Sequence, residues 1–173
     1  MRDTILTASI QTIIDYGLNG WTVDEVANKA KCAKGLVNYH YKSKHDLLIR
    51  CAETVASYRQ ARRMSALAGR VGAIAIDRLW AALILDVDEG WFGAWISVMS
   101  DNRLRRAAGL RYGVHSGQLA VLAAKALGET AQAIDESLLT ATLDGLELAL
   151  LGEADRASVE EAYHRFWVGL LDR

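Results

Sequence analysis

The chain has no proline, only two cysteines and only two phenylalanines among its 173 residues. Proline breaks helix interiors, so its absence suits a helical protein. Cys32 and Cys51 match no metal-binding or redox spacing, and we therefore expect neither a metal nor a cofactor. No apolar run reaches the roughly 18 residues of a membrane span. The N-terminus is polar and carries Asp3 and Asp15, so we expect no signal peptide and a cytoplasmic location.

Negative charge is also missing from one window, because no Asp or Glu lies between Val26 and His45. Five of the six lysines of the chain fall in this window: Lys29, Lys31, Lys34, Lys42 and Lys44. The whole chain has a formal net charge of -1, so the window is a local concentration of positive charge. Such a concentration points to an anionic partner for the N-terminal part of the chain.

Helix signals surround the basic window. Thr22 and Glu25 have the spacing of a capping box, and Trp21 and Val26 occupy the hydrophobic-staple positions beside it. This pattern predicts a short helix over about residues 23–31, after a first amphipathic helix that ends near residues 17–20.

A second short helix is predicted from Leu36 and a third from Ser43, which has the spacing to cap it. Two short helices joined by a tight turn form a helix-turn-helix, whose second helix enters the DNA major groove. In that position an acid would repel phosphates, whereas each lysine that neutralises a phosphate releases counterions. A solvated lysine-rich turn is the alternative, and the capping signals together with the charge favour DNA binding.

The block KGLVNYHYKSKHDLL lies at the centre of this pattern. The segment from Trp21 to Leu48 resembles the DNA-binding domain of the TetR family of transcriptional regulators, and the first 50 residues carry the strongest likeness. The matching residues are Gly17, Gly20, Thr22, Val26, Ala27, Ala30, Lys34, Gly35, Leu36, Tyr39, His40, Tyr41, Ser43, Lys44 and Leu47. The sequence and this resemblance together predict the following DNA-binding residues: Thr22, Lys34, Gly35, Leu36, Asn38, Tyr39, His40, Lys42 and Lys44.

Three positions depart from the pattern of the family. Lys31 stands where the family usually has glycine, and Ala33 stands where it usually has serine. Losing that hydroxyl removes a helix cap or a phosphate contact. Asn38 replaces a common tyrosine, and asparagine can read adenine through two hydrogen bonds. We therefore expect an operator that differs from those of other family members.

The rest of the chain shows helical periodicity and no strand-like alternation, so we predict an all-α protein. The predicted domains are a three-helix helix-turn-helix domain over residues 1–45 and a helical ligand-binding and dimerisation domain over residues 46–173. Within the second domain, helices are predicted at about residues 45–68, 70–86, 88–101, 103–127, 131–152 and 157–172.

The last two predicted helices carry broad apolar faces, which two subunits can pair into a four-helix bundle. The resemblance implies a homodimer formed in this way, and packing within one subunit is the alternative. The predicted interface residues are Leu138, Thr142, Gly145, Leu146, Ala149, Tyr163, Phe166, Trp167 and Leu170.

Large aromatic residues concentrate in the middle of the chain, as they do in small-molecule pockets and equally in ordinary cores. The predicted ligand-binding residues are Trp80, Trp91, Phe92, Trp95, Met99, Tyr112 and His115. Nearby acids Asp86, Asp88 and Glu89 suit a cationic aromatic ligand, although solvated loop acids are the simpler interpretation. Glycines at 109, 113 and 117 share one face of the predicted helix, which favours close helix packing over space for a ligand.

The sequence contains none of the common catalytic motifs, so we do not expect an enzyme. The leading hypothesis is a dimeric repressor that a small-molecule effector releases from a palindromic operator in double-stranded DNA. The alternative is a dimeric DNA-binding regulator without an effector, either an activator or a constitutive repressor.

Overall fold

The computed structural model describes residues 1–110, 117–129 and 134–171, and these residues form helices and connecting turns without any strand. The helices are α1 (Arg2–Gly20), α2 (Val23–Lys29), α3 (Lys34–His40), α4 (Lys44–Leu67), α5 (Ala73–Asp88), α6 (Trp91–Ser100), α7 (Asn102–Ala107), α8 (Gln118–Leu127), α9 (Glu136–Leu151) and α10 (Arg156–Leu171). The all-α prediction is thus confirmed. In the described part of the chain, no helix is long and apolar enough to cross a membrane.

Packing divides the chain into two compact units. The first unit comprises Met1–Tyr58 with Gly90–Arg111, and the second comprises Arg59–Glu89 with Tyr112–Arg173. The boundary between them falls inside α4. The predicted boundary after residue 45 follows the helix-turn-helix pattern instead and stays a prediction about function.

The first unit buries most of its apolar residues in one cluster under α1, α2, α3 and the start of α4, and a smaller cluster contains Ala52, Val98 and Leu104. Trp21 and Val26, the two staple residues, are both buried there. The indole Nε1 of Trp21 donates to the Ser9 hydroxyl at 2.9 Å, so the buried polar atom is paired. Helix α6 adds Ala94 to the same cluster.

The second unit has its own core, which α5, α8, α9 and α10 line together with the end of α4. Tyr163 is fully buried in it and donates its hydroxyl to the carbonyl oxygen of Ile76 at 2.7 Å. The ring of Trp80 lies 5.1 Å from that of Tyr163. These contacts join α5 to α10.

One predicted helix is wrong. The continuous helix over residues 103–127 stops at Ala107, and a new helix begins at Gln118. Gly109 has a φ of +66° and Gly117 a φ of +74°, and such left-handed conformations end or precede helices rather than continue them. These two glycines therefore do not share a helix face, and Gly113 lies outside the described residues.

Candidate nucleic-acid interface

Two local hydrogen bonds that the sequence predicts cap the helices on either side of α3. The Thr22 hydroxyl accepts a hydrogen bond from the Glu25 N–H at 3.1 Å and caps α2. The Ser43 hydroxyl accepts from the Asp46 N–H at 3.0 Å just before α4. Both caps satisfy N–H groups that the helices leave unpaired, and they fix where α2 and α4 begin.

Helix α3 turns one residue inward and most of its other side chains outward. Val37 is buried in the core of the first unit, whereas Lys34, Gly35, Leu36 and Asn38 are exposed. The Tyr39 ring is 81% exposed, which is unusual for a large aromatic residue. Of the predicted DNA-binding residues, Thr22, Lys42 and Lys44 are exposed as well, and His40 is half-buried.

Two of the five clustered lysines meet acids from outside the acid-free window. Lys29 Nζ lies 2.6 Å from the Asp15 carboxylate, and Lys34 Nζ lies 2.9 Å from that of Asp24. The hydrogen bond from Lys29 holds the pKa of Asp15 below its usual range. The sequence hides these pairs, because Asp15 and Asp24 precede the window and approach the lysines only in the folded chain.

The remaining lysines keep their charge available. Among the described residues, Lys31, Lys42 and Lys44 have no carboxylate within ion-pair distance. Lys44 Nζ lies 5.0 Å from the centre of the Trp21 ring and 3.4 Å from the carbonyl oxygen of Trp21. These contacts orient Lys44 beside the N-terminus of α2 without neutralising it.

The departures from the family pattern have structural counterparts. Lys31 adopts a left-handed φ of +51°, the conformation that glycine accommodates at a turn without strain. Ala33 occupies the N-cap position of α3 and provides no side-chain cap. Helix α3 therefore depends on its packing through Val37 and Tyr41, both of which are buried.

The predicted ligand-binding residues are divided between the two units. Trp91, Phe92, Trp95 and Met99 lie on α6 in the first unit, where Phe92 is fully buried. The Trp91 ring stacks on the Tyr58 ring at 4.0 Å. Trp80 lies in the core of the second unit, and Tyr112 and His115 lie outside the described residues. The pocket therefore stays a prediction.

A separate open cavity of about 390 Å³ lies in the second unit. Met64, Val121 and Leu122 give it an apolar wall, and Gly117 and Gln118 complete its lining. Its volume falls within the range of small-molecule pockets. None of these residues was predicted from the sequence to bind a ligand.

The structure corrects the interpretation of the acids near the tryptophans. Helix α5 extends to Asp88, so Asp86 and Asp88 are not loop residues, and Asp86 is only 2% exposed. Asp86 pairs with Arg59 at 2.5 Å, Asp88 pairs with Arg156, and Glu89 pairs with Arg62. Each carboxylate that we considered for a cationic ligand therefore already has an arginine partner.

Asp86 belongs to a buried charge network that the sequence analysis missed. Arg59 contacts Glu147 at 2.5 Å, and Arg63 contacts Asp144 at 2.5 Å and also Glu147. Glu147 is fully buried, and its Oε1 atom accepts no hydrogen bond from the described residues. A signal was present, because Asp86, Asp144 and Glu147 all occupy core-facing positions of amphipathic helices.

Burial and charge shift the network's pKa values in opposite directions. Burial raises the pKa of the Glu147 carboxyl to about 7, and the nearby Arg63 and Arg59 only partly oppose this rise. Burial also pushes the pKa of Asp144 upward, but the same two arginines together lower it below its usual value. Arg59 and Arg63 are buried beside the three buried carboxylates, and the less buried Arg62 lies 3.6 Å from Asp86.

The predicted dimer residues divide into buried and open positions. Tyr163 and Trp167 are buried within the chain itself, and Thr142, Leu146, Ala149, Phe166 and Leu170 are half-buried. Leu138 is 47% exposed, and Gly145 is exposed with no atom near the position of a Cβ. Ala141 and Leu148 are exposed on the same side of α9, which extends this apolar stripe. Assembly through it stays a prediction.

Residues 5–51 match the family model of bacterial regulatory proteins of the tetR family. No curated protein is significantly similar to the chain. Among solved structures, a protein from Mesorhizobium loti assigned to the TetR-family transcriptional regulators has a TM-score of 0.72 at 16% identity, with 99% of this chain and 95% of that chain covered.

Two further structures are of proteins with bound small molecules. LfrR from Mycobacterium smegmatis, a TetR-like regulator in complex with proflavine, has a TM-score of 0.63 at 17% identity, with 96% of this chain and 94% of that chain covered. The multidrug-binding protein EbrR in complex with imidazole has a TM-score of 0.60 at 21% identity, with coverage of 95% and 93%. The predicted resemblance is thus confirmed: residues 5–51 belong to the tetR family of bacterial regulatory proteins, and the chain carries them on a TetR-like fold.

Proposed function

We propose that this protein is a dimeric transcriptional repressor that binds a palindromic operator in double-stranded DNA through α3 and leaves it when a small-molecule effector binds. The observation that carries the proposal is the outer face of α3. Leu36, Asn38 and Tyr39 are exposed there although the fold gains nothing from exposing them, and Lys42 and Lys44 follow directly. Asparagine and tyrosine can contact base edges, and lysines can bind phosphates. Because DNA is the partner, we propose that the protein acts in the cytoplasm.

The test of this surface compares two kinds of substitution. Asn38→Ala and Tyr39→Ala should change which base is preferred at a position of the site, because these side chains would read base edges. Lys42→Ala and Lys44→Ala should weaken binding to specific and random DNA alike and lower the salt slope by about one unit each. Fluorescence anisotropy across a salt series measures both effects. Equal behaviour of all four variants would contradict direct readout by α3.

A homodimer is part of the proposal, because a palindrome needs two copies of α3 about one helical turn, or a multiple of it, apart. The apolar stripe of Leu138, Ala141, Gly145 and Leu148 on α9 supports it. The small residues Ala141 and Gly145 allow two α9 helices to approach closely. On α10, Val168 is 56% exposed and extends the apolar surface.

The effector is the least constrained part of the proposal. The aromatic residues Trp80, Trp91, Trp95 and Tyr112 remain our proposed ligand contacts. The cavity beside Met64 and Val121 offers an apolar surface in the second unit. Proflavine on LfrR and imidazole on EbrR are ring compounds bound to proteins of similar fold, which supports a search among such ligands.

A regulator without an effector is the second candidate, and the burial of Trp80 and Phe92 in the cores of the two units favours it. A thermal-shift screen separates the two candidates, since a ligand of the folded state raises the apparent stability. A true effector should also release DNA over the concentration range in which it binds. Trp91→Ala with Trp95→Ala should then weaken the response, and an unchanged response would move the pocket elsewhere.

A further inference from the structure

Helix α7 (Asn102–Ala107) presents a second concentration of positive charge in the first unit. Three of its six residues are arginines: Arg103, Arg105 and Arg106. The acid next to them, Asp101, is used as the helix cap, because its carboxylate accepts hydrogen bonds from the N–H groups of Arg103 and Leu104 at 2.9 and 2.8 Å. Helix α7 is therefore basic, and the acid that precedes it in the chain is occupied by backbone N–H groups.

These arginines are not used to stabilise the fold. Within the described residues, none of the three pairs with a carboxylate, and the guanidinium of Arg105 reaches only the side-chain oxygen of Asn102 at 2.9 Å. Arg103 and Arg106 are exposed. Among the other exposed arginines, Arg50 pairs with Glu53, Arg156 with Asp88 and Arg165 with Glu161, whereas Arg78 pairs with no carboxylate of the described residues.

Charge is also divided unequally between the two units. The first unit contains eleven Lys and Arg against seven Asp and Glu, a balance of +4. The second contains nine against fourteen, a balance of -5. The arginines of α7 thus lie in the unit that carries the helix-turn-helix, and they add to its field rather than compensate the acidic unit.

The packing of α7 places this helix near the start of α4. Leu104 is buried against Ala52 and Val98, and Leu48 and Ile49 pack around the same cluster. At a rise of about 1.5 Å per residue, Leu48 lies about 6 Å and Ala52 about 12 Å along the axis from Lys44. Helix α7 is therefore anchored within two to three turns of a proposed phosphate contact.

We propose that the exposed arginines of α7 bind the phosphate backbone of duplex DNA that flanks the half-site read by α3. The proposal rests on the proposed function and extends its DNA interface. A guanidinium fork matches a phosphate group in geometry and charge, and it stays charged at any physiological pH. Contacts of this kind add affinity without reading sequence. They also predict a binding site longer than the bases that α3 can reach.

The experiment compares two double variants that each remove two exposed positive charges. Arg103→Gln with Arg106→Gln changes the α7 face, and Arg78→Gln with Lys125→Gln is the matched control in the second unit, where both side chains are exposed. Anisotropy is measured across a salt series on mixed-sequence duplexes of about 16 and about 40 base pairs. The short duplex just spans two half-sites about 10 base pairs apart and has no flanks.

On the long duplex, the α7 variant should bind roughly five- to tenfold more weakly near 0.1 M salt, with a slope lower by one to two units, about 0.9 per lost phosphate contact. On the short duplex it should bind like the wild type, and the control variant should match the wild type on both. Arg103→Lys with Arg106→Lys should restore the slope on the long duplex, because the charge remains.

Three results would overturn the proposal. If the α7 variant and the control bind the long duplex equally, α7 makes no phosphate contact. If the α7 variant loses binding to both duplexes and sediments as a monomer, the arginines bind a second copy of the chain. If the wild type binds neither duplex, the proposed function fails first and this interface fails with it.

Discussion

At the residue scale, Gly35 connects the fold to the proposed interface. It is exposed in α3, and a Cβ at this position would meet no atom within 4 Å. Neither the backbone conformation nor the packing of the chain requires glycine here, and the place of Gly35 in α3 distinguishes it from Gly93, where a Cβ also meets nothing. We expect DNA to lie close against the first turn of α3.

Gly35→Ala should therefore separate stability from binding. The free energy of unfolding should stay the same or rise by up to about 1 kcal/mol, because alanine favours helix. DNA affinity should fall at least about tenfold, because the methyl group prevents the close approach, and each tenfold loss corresponds to about 1.4 kcal/mol. Gly93→Ala in α6, where a Cβ also meets nothing, is the control and should leave DNA affinity unchanged. If Gly35→Ala binds DNA with wild-type affinity, the DNA does not lie close against this position.

Lys31 is expected to cost stability and to contribute to DNA binding. Its left-handed φ of +51° is strained for a lysine. Lys31→Gly should raise the free energy of unfolding by about 1 kcal/mol, yet lower the salt slope of DNA binding by about one unit if this exposed cation meets a phosphate. Glu153, with a φ of +62° in the second unit, provides the control. Glu153→Gly should stabilise the protein to a similar degree with no effect on DNA. If Lys31→Gly keeps the wild-type salt slope of DNA binding, Lys31 does not contact a phosphate.

At the element scale, the charge network links α4, α5 and α9 in the second unit. Glu147 has a pKa raised from 4.5 to about 7, so folding takes up a proton between these values. Its contribution to stability is therefore present at low pH and is lost as the pH rises through about 7. Asp144 behaves oppositely, because its lowered pKa keeps it ionised, and its contribution is lost only in acid.

This difference can be measured in Glu147→Gln. At pH 5 the variant should be about as stable as the wild type, because the Glu147 carboxyl is protonated there and glutamine is also neutral. The gap in the free energy of unfolding, wild type minus variant, should fall from near zero by about 2 kcal/mol as the pH rises from 5 to 8, since only the wild type loses stability from this titration. Asp144→Asn is the control, and its gap should stay constant over the same range. Denaturant unfolding followed by circular dichroism gives both differences in unfolding free energy. A Glu147→Gln difference, wild type minus variant, that is flat or grows with pH would contradict the raised pKa of Glu147.

The stripe on α9 gives a second prediction at this scale. Ala141→Glu with Leu148→Glu should convert a dimer into a monomer, because two buried, unpaired charges per subunit are costly. The variant should keep its helical circular dichroism spectrum, because both side chains are exposed in the single chain. Val71→Glu with Ile74→Glu, at two other exposed apolar positions, should remain dimeric. Sedimentation velocity distinguishes them, and a dimeric α9 variant would place the interface elsewhere.

The elements also mark how far the sequence alone can predict this structure. The caps at Thr22 and Ser43 are local hydrogen bonds over three residues, and both are confirmed. The break after Ala107 was missed, because apolar periodicity continues past Gly109 and cannot report its positive φ. The network of Arg59, Asp86 and Glu147 was missed for another reason, since it joins residues up to 88 positions apart.

At the scale of the whole molecule, the division of charge is the main feature. The asymmetry is visible in the sequence, but its extent depends on the fold, because α6 and α7 join the first unit from the middle of the chain. A linear boundary after residue 45 assigns the arginines of α7 to the other domain. The ion pairs of Lys29 and Lys34 change the pattern again, because Lys31, Lys42 and Lys44 are then the lysines of the window that pair with no carboxylate of the described residues.

The central claim is that two copies of α3 read a symmetric DNA site. Selection of fragments of the host genome by the purified protein, followed by sequencing of the bound DNA, tests this most directly. We predict that the enriched fragments share a palindrome whose half-sites lie about 10 base pairs, or a multiple of that, apart. Gly35→Ala should abolish the enrichment and Gly93→Ala should not. Enriched fragments without a shared symmetric sequence, or no enrichment at all by the wild type, would contradict the claim.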